Sequence, residues 1–496
     1  MKPLVRLQAF SFASRLIAML LGMVQTFVVV RVLSVSDWGV VQLAVSIGGA
    51  FGIYQHLGLA SGSTREISAT KDPKEISKIF FTTVFIRYMV TIPVFLFLFF
   101  SAEKIAIGQY NNSALILPIK LYALGLVVEA VQSILNAVVS GTHRFKQLFI
   151  YQAVIALVSV CLYIPLVFIF KINGYFYALF LFEFISSVVM GIIAFKPFWR
   201  EICLPSFADL KRLLKSLLSI SLAIYGVKII YTWWEKSGPL LLGLNLSAEM
   251  VAFFSFALLY AKKLMLISDA VTTVNLPVLS EKYATDLDDF KALFVNNFNK
   301  LYVFILGSGF FAIFWAREIF YVLVGNDKYH PSLPLVLPLM FAFIFYSFMN
   351  IIESSVIIPA KKVFSMLLSF GLMLGVTVGL FFLTRSHMDV LVSMAYAVAM
   401  GSFMGLIAML VLSKITLDFA FFEGKHLILL IQIMAMSLPF MLENLWIKAV
   451  LFVVFGALYL KAVFLSGFMS REQIVNLLTR IKVFVLQNFR KPSISA

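Results

Sequence analysis

Cysteine is almost absent: Cys161 and Cys203 are the only two in 496 residues, and they lie on separate segments. Two isolated thiols argue against a disulfide framework and against a thiolate metal site. The five histidines, His56, His143, His330, His387 and His426, are scattered, with no His-Glu-x-x-His or Cys/His cluster, so no metal site is expected. No Gly-x-x-x-x-Gly-Lys-Ser/Thr loop occurs, which excludes a P-loop ATPase in this chain. Charge is scarce as well: 13% of residues are charged and 61% are hydrophobic. Mean hydropathy is +0.98, and a water-soluble core cannot hide that much apolar surface.

What the chain does have is apolar runs of about 20 residues, each long enough to span a hydrocarbon layer about 30 Å thick. The runs are continuous rather than alternating, which points to helices and not to a β-barrel. The expectation is an all-α polytopic membrane protein with about fourteen spans between residues 10 and 466. The first run begins near Phe10, is too long for a signal-peptide core and is read as a retained helix. The connections sort by charge. One alternating set, which includes both termini, holds 25 Lys and Arg, and the other holds Arg31, Lys104, Lys171, Lys328 and Arg385. Positive loops stay in the cytoplasm, so both termini are expected there, in a cytoplasmic (inner) membrane. The net charge of +16 is then a topology signal, and no nucleic-acid partner is expected. Residues 467–496 read as a cytoplasmic amphipathic tail.

The chain repeats weakly. LSVSDWGVVQLA after the first span matches LNLSAEMVAFFSF after the seventh, setting Asp37 against Glu249. Arg65-Glu66 matches Ser280-Glu281, and LPIKLYAL matches LPLMFAFI at nearly the same offset. The domains expected are an N-terminal six-helix lobe (1–196), a cytoplasmic linker (197–215), a C-terminal six-helix lobe (216–412), accessory helices 13 and 14 (413–466) and the tail (467–496). These are two pseudo-symmetric six-helix bundles around a central cavity, plus two extra C-terminal helices. A substrate site between such halves, near the midplane, is the usual arrangement.

Ionisable residues inside the spans mark that site. The stretch YGVKIIYTWWEKSGP puts Tyr225, Lys228, Thr232, Glu235 and Lys236 on one side of span seven. A lysine facing lipid at that depth would cost at least ~2.5–3.5 kcal/mol, so the face is expected to meet water or a partner charge. Span eight carries Lys262, Lys263 and Asp269, with Ser255, Lys262, Asp269 and Thr273 on one face. Span one has a narrow stripe of Ser11, Arg15, Ala18, Gly22, Gln25 and Thr26, and span two has Gly39, Gln42, Ser46 and Gly49. These four helices are expected to line the cavity, with helix packing alone as the rival reading of the small-residue stripes. Arg15 can also snorkel to the inner surface, Arg31 can anchor at the outer interface and Arg87 can bridge helices. The acids Glu129, Glu183, Glu235, Asp269, Glu318 and Glu353 lie in or near spans. Arg317 beside Glu318 and Lys236 beside Glu235 read as local neutralisation. Glu129, Asp269 and Glu353 are the ion-coupling candidates.

Arg31-Val32-Leu33, then Asp37 with Gly39, then Leu57-Gly58 and Arg65-Glu66 form a pattern. It resembles the start of the polysaccharide (O-antigen, Wzx-type) flippase branch of the MATE-like MOP superfamily. The resemblance implies translocation of an undecaprenyl-diphosphate-linked oligosaccharide for surface polysaccharide synthesis, by alternating access between two lobes. It also implies coupling to a proton or sodium gradient, the ion left open, with no bound cofactor. On that reading Arg15, Lys228, Lys262 and Lys263 would meet the diphosphate, Arg31, Arg87 and Lys236 would belong to the same diphosphate and glycan cavity, and Tyr225 and Trp234 would be among the aromatic partners for sugars. A monomer is expected, in contact with membrane lipids and associating with a polysaccharide polymerase and glycosyltransferases. The alternatives are a peptidoglycan-precursor (lipid II) flippase and a MATE-type multidrug/cation antiporter. An enzyme is not expected, because no catalytic constellation occurs and the outer loops are too short to build one.

Overall fold

The computed structural model describes residues 3–218, 221–269, 279, 281–283, 285–418 and 420–468. The side chains of 3–13, 15, 16, 215, 216, 218, 221–224, 416 and 417 lie outside that description, as does the expected amphipathic tail beyond residue 468. Among the described residues the regular structure is entirely helical. The α-helices are α1 Pro3–Val32, α2 Val35–Gly52, α3 Leu59–Ser68, α4 Pro73–Glu103, α5 Ile116–Gly141, α6 Phe145–Phe195, α7 Phe207–Leu218 and α8 Ser221–Gly243. There follow α9 Ala248–Lys262, α10 Leu287–Phe314, α11 Ala316–Val324, α12 Leu333–Ile352, α13 Val363–Thr384, α14 Val390–Leu417, α15 Gly424–Ser437 and α16 Leu445–Leu465.

Among the described residues ten helices are long and apolar enough to cross a membrane, or eleven if the bent pair α2 and α3 is one span. Helices are required because lipid offers no partner for backbone amides. The expected fourteen would further need α1, α8 and both limbs of α6 each to cross. The 51-residue α6 breaks at Lys171, where φ is 53° and ψ −125°, which gives limbs 145–170 and 172–195. Large apolar side chains cover the outer faces, such as Ile169, Leu383 and Val453, about 70% exposed each. They suit contact with acyl chains.

Local chemistry sets the helix starts. Ser34 Oγ accepts from the Asp37 amide at 3.0 Å, and the Asp37 carboxylate accepts from the Ser34 amide at 3.4 Å, a reciprocal cap for α2. Ser247 caps α9 through the Met250 amide at 3.5 Å, with Glu249 in the first turn. The two acids matched in the sequence repeat both fall in the first turn of a helix, Asp37 at its third residue with the reciprocal cap and Glu249 at its second without one.

Helices α1 to α6 pack on one another, chiefly α1 on α6 and α5 on both α4 and α6. A second group forms around α12, which packs on α9, α10 and α14, while α13 packs on α8 and α14. Helix α2 lies between the groups and touches α5 on one side and α8 and α9 on the other. A β-carbon on Gly39 would stand 1.7 Å from the Ala248 carbonyl oxygen, so only glycine permits that approach.

The groups are also clasped at the end opposite the N-terminus. Gly325, at φ 81°, ends α11 and leaves its last carbonyls open. Arg31 donates to Leu323 O at 2.8 Å and Val322 O at 2.6 Å. Lys328 reciprocates on the end of α1, with Nζ 2.8 Å from Val30 O and 2.9 Å from Leu33 O. Each cation meets the negative end of a helix dipole.

Helix α16 is tied on by Lys448, fully buried, whose ammonium bonds both Glu318 oxygens at 2.9 and 2.8 Å. Arg317 instead pairs with Glu443 at 3.1 Å. The expected neutralisation of Glu318 by its neighbour Arg317 is therefore corrected: consecutive helix residues diverge by about 100°, so Glu318 meets Lys448 on α16 and Arg317 meets Glu443 in the turn that precedes α16.

Candidate functional site

Helix α8 brings its polar face against the first helix group. The Tyr225 hydroxyl donates to Ile53 O at 3.0 Å, and Trp233 Nε1 donates to the Tyr54 hydroxyl at 3.0 Å. Lys228, one turn after Tyr225, consequently lies between the groups. It is exposed, and it is in electrostatic range of His56 on one side and Glu353 on the other. Its ammonium makes no hydrogen bond or ion pair among the described residues.

Glu235, 11% exposed, joins two lysines: Oε1 is 3.0 Å from Lys236 Nζ and Oε2 is 2.8 Å from Lys262 Nζ. The Lys236 stem runs past Gly49 of α2, whose missing side chain leaves it room. Helix α9 tightens at this point. The amides of Lys263 and Leu264 reach back three residues instead of four, at 3.2 and 3.1 Å, before the helix continues to Asp269. The tightened turn sends Lys262 to Glu235 and leaves Lys263 half-buried without an ion pair among the described residues. Lys263 lines a cavity of about 930 Å³ with Ala18, Gly22, Gln25 and Thr26 of α1 and with polar residues of α5 and α6. Glu235 thus holds Lys236 and Lys262, while Lys263 and, toward Glu353, Lys228 stand without an ion pair among the described residues.

A second polar centre lies within the first group. Arg87 is fully buried and donates to Ser133 Oγ at 2.5 Å and to His56 Nδ1 at 3.1 Å. Since arginine only donates, Nδ1 accepts, and a neutral His56 carries its proton on Nε2, which is 3.7 Å from Glu129 Oε1. Gln55 Nε2 donates to Glu129 at 3.4 Å, and Thr91 donates to Gln55 Oε1 at 3.0 Å. The relay joins α4, α5 and the turn after α2. Glu353 opens a π-helical turn, Glu353–Ile357, and its carboxylate has no ion pair among the described residues. Such turns recur at functional sites. Asp269 accepts from Asn350 Nδ2 at 2.7 Å.

The profile of the family described as polysaccharide biosynthesis protein matches residues 28–334, more than half of the chain. The chain belongs to that family. No curated protein matches it. Among solved structures, the lipid II flippase MurJ in an inward closed conformation has a TM-score of 0.68 at 12% identity, over 93% of this chain and 100% of its own. An inward-facing multidrug resistance MATE family transporter of the MOP superfamily gives 0.61 at 13% identity, over 81% and 94%. A mutant MATE transporter of Vibrio cholerae gives 0.56 at 12% identity, over 84% and 98%. At such identity the likeness shows the fold alone, which this multi-pass membrane protein shares with those transporters. The resemblance read from residues 31–66 is borne out.

Within this family member the expected site residues scatter more than span arithmetic implied. Lys236 and Lys262 gather on Glu235, Lys228 lies toward His56 and Glu353, and Lys263 lines the cavity. Trp234 is 1% exposed and stacks on Tyr346 with centroids 5.4 Å apart, so it is core rather than cavity wall. Tyr225 is buried in its contact with Ile53. Arg31 serves the far-end clasp and Arg87 the relay. The Arg15 side chain and Thr273 lie outside the described residues. Of the four helices expected to line the cavity, only α1 and α9 do so among the described residues; α2 and α8 do not, and Gln132, Asn136 and Gln152 of α5 and α6 supply much of its polar wall. Their signal in the sequence was polar amides within otherwise apolar spans.

Proposed function

We propose that this protein is a flippase that moves an undecaprenyl-diphosphate-linked oligosaccharide across the cytoplasmic membrane by alternating access. The observation that carries the reading is the lysine cluster at the junction of the helix groups, with Lys228 and Lys263 unpaired among the described residues. A diphosphate carries about two negative charges, and ammonium groups replace its hydration shell. The Lys–Glu235 pairs moderate the field so that binding stays weak enough for release. Both termini face the cytoplasm on the charge rule. The clasp of Arg31 and Lys328 then closes the outer side, and the glycolipid is taken from the inner leaflet.

Glu129, Asp269 and Glu353 are the candidates for coupling to a proton or sodium gradient, and the lobes rock without breaking a covalent bond. The protein works as a monomer beside the polymerase and glycosyltransferases of the same polysaccharide. An antiporter for organic cations would want an acid-dominated cavity, against the excess of lysine here. A lipid II flippase would use the same diphosphate contacts, and the family match to polysaccharide biosynthesis favours the oligosaccharide. The test is reconstitution with fluorescent lipid-linked oligosaccharide, wild type against Lys228→Ala and Lys262→Ala. Loss of translocation in folded variants supports the reading, and full activity in both removes the lysines from the mechanism.

A further inference from the structure

The 930 Å³ cavity differs in chemistry from the lysine junction that it adjoins. Its volume falls within the roughly 300–1,000 Å³ of small-molecule sites. Lys263 stands at its edge as the one charged group in its lining among the described residues. The rest of its polar lining consists of amides and hydroxyls. Gln132 and Asn136, one helical turn apart on α5, present their side chains to the same space.

These amides are only partly used by the protein. Gln132 Nε2 donates to the Tyr151 hydroxyl at 3.3 Å and to Ser186 Oγ at 3.3 Å, and its oxygen has no hydrogen-bond partner among the described residues. Gln25 Oε1 accepts from Ser159 Oγ at 2.5 Å, and its amide nitrogen has no partner among the described residues. Asn136 makes no side-chain hydrogen bond among the described residues. A wall without carboxylates does not attract organic cations or hold a metal, and one ammonium is too few for a polyanion. A primary amide offers a donor and an acceptor side by side, the complement of a pair of vicinal hydroxyls.

We propose that this cavity is the glycan subsite: neutral sugar residues lie against Gln25, Gln132 and Asn136 while Lys263 contacts the adjoining phosphate. The proposal rests on the flippase reading and adds that the amides of the first helix group, not the buried Trp234, recognise the sugar. The sugar is attached directly to the diphosphate, so adjacency of the amide wall to Lys263 is what such a ligand requires.

The test compares two soluble probes, farnesyl diphosphate and farnesyl-diphosphoryl-N-acetylglucosamine, binding to the full chain in lipid nanodiscs. The sugar-bearing probe is expected to bind wild type about ten-fold more tightly. Asn136→Ala removes no side-chain hydrogen bond among the described residues and should reduce that advantage by about three- to ten-fold, the worth of one or two neutral hydrogen bonds. Gln132→Leu should reduce it similarly, with the affinity for bare farnesyl diphosphate unchanged in both. No sugar advantage in wild type, or an undiminished advantage in both variants, overturns the proposal while leaving the flippase reading intact. Failure of wild type to bind either probe strikes the flippase reading itself, and the glycan subsite falls with it.

Discussion

Replacing Glu235 with Gln changes one charge and almost no volume, and the geometry assigns it an informative sign. The carboxylate contacts Lys236 at 3.0 Å and Lys262 at 2.8 Å. A phosphate oxygen accepting from the far side of either ammonium would lie two hydrogen bonds away, roughly 5.5 Å. Two unit charges at that separation repel by about 3 kcal/mol at an effective dielectric constant near 20. The lysine side chains are 22% and 38% exposed, and solvent screening reduces the repulsion to about 1–2 kcal/mol. At 1.4 kcal/mol per decade, Glu235→Gln should tighten diphosphate binding by about 5- to 30-fold. Lys228→Gln should act oppositely. An ammonium with no other partner contributes a charge-assisted hydrogen bond of roughly 1.5–3 kcal/mol, so affinity should fall by about 10- to 150-fold. The assay is titration of farnesyl diphosphate against purified variants in nanodiscs, with thermal unfolding as the control for folding. Translocation by Glu235→Gln should slow, because a tighter complex releases late. Unchanged or weakened binding in a folded Glu235→Gln protein would refute the idea that this carboxylate competes with an anionic ligand.

The remaining predictions concern the scaffold. Lys448→Met strands the Glu318 carboxylate and should destabilise by about 3–5 kcal/mol, while Lys448→Met with Glu318→Gln should recover most of it; equal melting temperatures for single and double variants would contradict this. Gly39→Val cannot keep the contact with Ala248, so spin-label distances between residues at the starts of α2 and α9 should lengthen, and an unchanged distance distribution would contradict the close approach. Arg31→Ala with Lys328→Ala removes both halves of the far-end clasp, so cysteine labelling between α1 and α11 should accelerate, and a rate equal to wild type would show that the clasp holds nothing. Hydrogen bonds from the Ser206 amide and hydroxyl, then Lys78, hold Asp209 down to about 2 from its ordinary value of 3.8. A depressed carboxylate stabilises above its unfolded value and loses that contribution as pH falls through the folded one. Docking of α7 on α4 should therefore loosen between about pH 4 and 2, read as hydrogen exchange over residues 207–218. Asp209→Asn should flatten that response, and an unaltered pH profile would exclude the group.

Much of this was legible along the chain. The helix class followed from runs of apolar residues, because lipid enforces internal hydrogen bonding wherever such a run inserts. The family was carried by a few positions with local duties: Asp37 caps α2, and Gly39 permits the approach of α9. The lysines of α8 and α9 announced a polar interior because a lone ammonium in hydrocarbon is costly. Other assignments failed for a physical reason. Trp234 and Lys236 are two residues apart, and a rotation of about 200° sends one to Tyr346 and the other to Glu235. Arg317 and Glu318 are adjacent yet pair with different partners, Glu443 in the turn before α16 and Lys448 on α16 itself.

The sequence by itself determined that the chain is helical, apolar and membrane-embedded, and that a few charges must find shelter inside it, since burial costs depend on residue type and run length alone. Tertiary structure decided which partners those charges take. Arg87 reaches His56 across 31 positions, Lys262 reaches Glu235 across a helix gap, and the Lys328 ammonium bonds a carbonyl 298 residues away. Ion pairs and hydrogen bonds act over a few ångströms, and only the packing of helices far apart in the chain sets distances of that order.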